Sequence, residues 1–134
     1  MDTIISGHSV TKIGYHIIWC TKYRHQILTN LVEIELKQIL ADTCIYYNWK
    51  LRSIEIMPDH VHLFIQSDHI TAPVQIVQAL KSISAVHIFH KFPSLKGHKF
   101  WGSGLWSKGC YYSTVGHISE ETVIQYIESQ KEQE

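Results

Sequence analysis

Between Met57 and Gln66 the chain alternates: Val61, Leu63 and Ile65 stand against His60, His62 and Phe64. A period of two marks a β-strand buried on one face. Residues i and i+2 of a strand point the same way. The aliphatic trio therefore packs one side, and the two histidines project together from the other. Any fold that encloses this strand needs a sheet with one closed face and one open face. Paired imidazoles can hold a divalent ion, because their neutral nitrogens are ready ligands. They can equally be two surface histidines, since ten histidines in this chain make chance pairs common.

The elements around this strand supply such a sheet. Residues Met1 to Val10 read as a loose arm, and Thr11 to Cys20, rich in aromatic and β-branched residues, as a first strand. A polar loop from Thr21 to Thr29 carries Lys22, Arg24 and His25. Asn30 can cap a helix, with Glu33 completing a capping box. Leu31, Ile34, Leu36, Ile39 and Leu40 continue that helix to about Tyr47. Trp49 to Met57 is a second strand, turned by Pro58-Asp59 into the histidine strand. Thr71-Ala72-Pro73 opens a second helix with a stripe of Ile76, Leu80, Ile83 and His87, ending near Phe92-Pro93. A glycine-rich aromatic loop leads to a short strand at Cys110 to Thr114, and Ser119 caps a last helix begun by Glu120 and Glu121. This order predicts an α+β, ferredoxin-like (RRM-like) βαββαβ fold with both crossover helices on one face, plus a C-terminal helix. His60 and His62 would then lie on the open face.

Composition narrows the class. The 134 residues, 45% hydrophobic and 18% charged, fit a single globular domain spanning 1–134. No apolar run approaches the roughly 20 residues that cross a bilayer, and the start of the chain lacks the layout of a signal peptide. Cys20, Cys44 and Cys110 are odd in number and widely spaced, as expected of reduced thiols in a cytoplasmic protein. The net charge of zero hides an asymmetry: His69 to Ile118 holds five lysines and no Asp or Glu, whereas the tail is rich in glutamate. A basic middle suits nucleic acid or is simply a solvated face.

On the last helix Tyr126 and Gln130 are four apart and share a face. Tyr126 can be an anchor of an amphipathic helix, or it can be a nucleophile with Gln130 as a metal ligand. The second option has a chemical logic. A phenol is mostly protonated at neutral pH, and it attacks a phosphodiester well only where a cation offsets the charge building on the phosphate.

Taken together, the blocks resemble the HUH endonuclease superfamily, and more narrowly the small single-tyrosine transposases of the insertion-sequence-200/605 group. The resemblance is carried by Tyr15 to Arg24, Met57 to His62, Leu80 to Ser84, Phe100-Trp101, Leu105-Trp106, Tyr111 to Gly116 and Tyr126 to Gln130. It implies a metal site of His60, His62 and Gln130, with Mg or Mn. It implies that Tyr126 cuts single-stranded DNA to leave a 5′-phosphotyrosine and a free 3′-hydroxyl. It further implies hairpin-bearing transposon ends as substrate, and a homodimer in which the tyrosine helix is commonly supplied to the partner's histidines. Lys22, Arg24, Lys81, Lys96 and Lys99 are candidates for phosphate contacts. Trp101 or Trp106 can stack a base or pack in the core or dimer interface. The competing readings are a non-catalytic ferredoxin-like nucleic-acid-binding module and a domesticated relative that processes chromosomal hairpins.

Overall fold

The structure is a computed structural model that describes residues 4–5, 10–68, 70–98, 104–114 and 119–133. Its strands are β1 (Ile4–Ile5), β2 (Val10–Cys20), β3 (Lys50–Met57), β4 (His60–Asp68) and β5 (Tyr111–Ser113). The helices are α1 (Asn30–Tyr46), α2 (Pro73–Lys91), the short α3 (Pro93–His98) and α4 (Glu120–Gln133). All pairings are antiparallel: β3 with β4, β4 with β2, and β2 with β5 along its other edge. This is the ferredoxin-like order expected. One difference lies in the arm, where Ile4 and Ile5 pair with Thr11 and Val10 instead of hanging loose. Both segments are rich in β-branched residues, which favour a paired, extended backbone.

The closed face is built from alternate residues of the two central strands. Tyr15, Ile17 and Trp19 of β2 lie opposite Ile65, Leu63 and Val61 of β4, and all six are buried. Leu36, Leu40 and Cys44 of α1 and Ile76, Val77, Leu80 and Ile88 of α2 cover them. The helices differ in detail from the sequence expectation. Thr29 precedes α1 as its cap without a side-chain bond, and Asn30 is the first helical residue, at φ +52°. Leu31 and Ile34 are 70% and 66% exposed, because the inward stripe runs through Leu36, Leu40, Thr43 and Cys44. On α2 the stripe passes through Ser84 and Ile88 in place of Ile83 and His87. Ser84 can turn inward because its hydroxyl accepts the indole N–H of Trp106 at 3.0 Å, so its burial leaves no polar group unsatisfied.

α4 crosses the other face. Ser119 caps it as expected: its hydroxyl accepts the Thr122 N–H at 3.1 Å and its carbonyl the Val123 N–H at 3.2 Å. The three cysteines are free, Cys20 and Cys44 buried and Cys110 half-buried. No helix among the described residues is long and apolar enough to cross a membrane.

Candidate active site

The site begins at the Pro58-Asp59 turn between β3 and β4. This turn is held by the segment after β2. Thr21 N–H donates to the Asp59 carbonyl at 3.0 Å, and Leu28 N–H donates to the Pro58 carbonyl at 2.9 Å. Within that segment Tyr23 and Arg24 adopt φ of +56° and +53°. Two successive left-handed non-glycine residues are strained and persist only where the surroundings over-determine them. Here the bend carries Arg24 back to the turn, where its Nε and one terminal nitrogen each donate to Asp59 Oδ2 at 3.3 Å. The other Asp59 oxygen lies 2.8 Å from His60 Nδ1. The remaining guanidinium nitrogen faces Glu128 of α4 at 3.9 Å.

His62 follows on the same face, paired across the sheet with Glu55 of β3 and Ile18 of β2. Its Nε2 is 3.2 Å from His16 Nδ1. Burial lowers its pKa, neighbouring His16 and His60 push the same way, and only Glu55 opposes. His62 is therefore held as the neutral imidazole, the form that can donate a lone pair. Beyond His62, the Phe64 ring leans on His16, with centroids 4.6 Å apart. The far end of the same ring reaches Gly14, where a Cβ would come within 2.5 Å of Phe64 Cζ.

His60 and His62 share a cavity of about 440 Å³ with Glu55 and Met57 below and Glu120, Val123, Ile124 and Ile127 of α4 above. The structure thus brings the histidines together and lays the tyrosine helix over them. It does not bring Tyr126 or Gln130 into that cavity. The Tyr126 ring packs beside Tyr111, with centroids 6.0 Å apart. Gln130 is buried, and its amide oxygen accepts a hydrogen bond from Ser107 Oγ at 3.0 Å. Among the described residues no three His, Cys, Asp or Glu side chains stand close enough to share a metal ion. Two imidazoles on one strand face fit a divalent ion as a partial ligand set, and a third donor has to come from elsewhere. The amide oxygen of Gln130, on the helix directly above, is of the right chemistry.

The candidate phosphate contacts are differently disposed. Arg24 is engaged with Asp59, and Lys81 donates to the carbonyls of Ser107 and Gly109 at 2.8 and 2.9 Å, tying α2 to the loop before β5. Lys22 lies over the Tyr23 ring and Lys96 over the Phe89 ring, each 5.4 Å from the centroid. Lys99 and Trp101 fall outside the described residues. Trp106 is core: it is buried edge-on to Trp19, and its N–H is satisfied within the fold. Sequence reasoning passed over Asp59 as a turn residue and gave no role to His16 or Ser107.

A family model described as "Transposase IS200 like" matches residues 9–130. The chain belongs to the IS200-like transposase family. The transposase is 40% identical over 125 residues to the ISDra2 transposase TnpA of Deinococcus radiodurans, covering 93% of this chain and 89% of that one. It is 26% identical over 128 residues to the transposase for insertion sequence element IS200 of Salmonella typhimurium, covering 96% and 83%. A crystal structure of a transposase candidate from Deinococcus radiodurans superimposes with a TM-score of 0.86 at 38% identity, over 96% of this chain and 98% of that one. A REP-associated tyrosine transposase bound to a REP hairpin shares the fold, with a TM-score of 0.55 at 13% identity, over 90% of this chain and 68% of that one.

Proposed function

We propose that this transposase acts as a single domain that nicks and rejoins single-stranded DNA at hairpin-bearing transposon ends, in the cytoplasm, with Tyr126 as nucleophile. The observation that carries the reading is the position of α4, which lays the tyrosine helix across the face where His60 and His62 converge on one cavity. His60 and His62 would hold Mg or Mn, with the Gln130 amide oxygen as third ligand. Bound there, the ion supplies Lewis-acid stabilisation of the phosphate charge. The Tyr126 oxygen attacks phosphorus and its phenolic proton is lost. The bond to the 3′-oxygen breaks, and that oxygen takes up a proton to become a free 3′-hydroxyl. The 5′-phosphotyrosine keeps the bond energy, so the reverse attack by a 3′-hydroxyl rejoins a strand without a nucleotide cofactor.

Tyr126 and Gln130 must first leave Tyr111 and Ser107. Either α4 turns over its own sheet, or the site is composite, with the helix of one subunit of a homodimer serving the histidines of the other. Hairpin stems would be read through shape and phosphates. Lys22, Lys96 and Lys99 are the candidate phosphate contacts and Trp101 a candidate stacking platform, all four by sequence.

The test is labelled single-stranded DNA from the element's end, incubated with Mg or Mn and run on a denaturing gel. A covalent protein–DNA band should form and be lost in Tyr126→Phe while hairpin binding persists. Binding without that band under either metal would favour the second reading, a non-catalytic nucleic-acid-binding module. The packing of Tyr126 on Tyr111 is the observation on its side.

A further inference from the structure

We propose that Asp59 is a positioning residue that sets the tautomer of His60, and that Arg24 sets the orientation of Asp59. The inference deepens the metal-site reading and rests on it for its consequence, although the tautomer itself does not. An ionised carboxylate only accepts hydrogen bonds. The 2.8 Å contact between Asp59 Oδ1 and His60 Nδ1 therefore places the ring proton on Nδ1. The lone pair of the neutral ring is then on Nε2, the atom available to a metal. A carboxylate bonded to the distal nitrogen of a ligating histidine both fixes its tautomer and raises its basicity.

Arg24 makes this arrangement specific. It has two donors on Asp59 Oδ2, so the carboxylate cannot swing away from the imidazole without losing both. The aspartate is mostly shielded from water, and the backbone beneath Arg24 is held in two successive left-handed residues. Strain of that kind is unexplained by the turn alone, and it is accounted for if the guanidinium must reach this carboxylate. The same guanidinium faces Glu128, two residues from both Tyr126 and Gln130. The clamp on His60 thus also touches the tyrosine helix, beside the two residues proposed to complete the site.

The decisive variant is Asp59→Asn, which keeps the shape. Arg24 offers only donors, so it takes the one amide oxygen, and the NH₂ group then faces His60 Nδ1. The ring must accept there and carry its proton on Nε2, as happens when the aspartate of a Ser-His-Asp triad is replaced by asparagine. Long-range ¹H–¹⁵N spectra of the metal-free protein, with the His60 signals assigned by their loss in His60→Gln, should show Nδ1–H in the wild type and Nε2–H in Asp59→Asn. Mn²⁺ affinity, titrated without DNA by electron paramagnetic resonance, should fall about 10- to 100-fold. Adding Arg24→Met lets the amide flip, so the double variant should regain the Nδ1–H tautomer and part of the Mn²⁺ affinity. A purely structural Arg24–Asp59 pair predicts the opposite, with the double variant no better than the single one. An unmoved tautomer in Asp59→Asn, with Mn²⁺ binding intact, overturns the role of Asp59. A wild type that binds no Mn²⁺ although its tautomer responds overturns the metal reading, and the proposed role with it.

Discussion

The two faces of one sheet are built by different rules. On the closed face Ile17, Trp19, Val61, Leu63 and Ile65 are buried beneath α1 and α2, and any residue of suitable volume and apolarity would satisfy much of what is asked. On the open face a chain of polar side chains is specified atom by atom: His60 has Asp59, Asp59 has Arg24, His62 has His16, and Gln130 has Ser107. The first face specifies a fold through area removed from water. The second specifies atoms, and with them chemistry, at little cost to the fold because α4 shields it only in part. Substitutions on the two faces should therefore separate stability from function.

The largest effect on stability is expected from Leu63→Ala on the closed face, a loss of about 2–5 kcal/mol in urea unfolding. His60→Ala, three residues away on the open face, should cost about 1 kcal/mol yet abolish Mn²⁺ binding. If the two variants destabilised the protein equally, the division between the faces would fail. Next in size is Gly14→Ala, whose new Cβ would press on the tip of the Phe64 ring. The atoms met are the far end of a side chain that can turn, so the expected cost is about 1 kcal/mol. Combining it with Phe64→Leu should recover most of that cost in a double-mutant cycle.

The smallest effect is one of pH. His62 is held below the ordinary histidine pKa, first by burial and then by His16 and His60, against the pull of Glu55. An unfolded histidine takes up its proton near about pH 6.5. As pH falls through that value the unfolded chain protonates first and the folded state loses stability, until folded His62 is protonated as well. The urea midpoint should therefore fall between pH 7.5 and 5.5, and it should fall less in His62→Gln.

How much of this was legible in the sequence follows the same division. The histidine strand, the three long helices and the Ser119 cap could be read because periodicity and capping are local, whereas the short α3 was not expected. The register of α2 could not, because Ser84 turns inward only to meet Trp106, a residue 22 positions away. Asp59 looked like a turn residue and is one. What the sequence does not display is the left-handed backbone at Tyr23 and Arg24 that brings a guanidinium onto its carboxylate. The spacing of Tyr126 and Gln130 predicts that they share a helix face, but spacing is silent about what that face looks toward.

The hydrogen bond between Ser107 and Gln130 has a consequence in populations. If the glutamine oxygen is the third metal ligand, every molecule in which Ser107 holds it is one that cannot complete the site. The apparent dissociation constant for the ion is then the intrinsic one divided by the fraction of molecules with that oxygen released. A serine hydroxyl thus competes with the metal for one atom, and anything that draws α4 away from Ser107 tightens metal binding without touching either histidine.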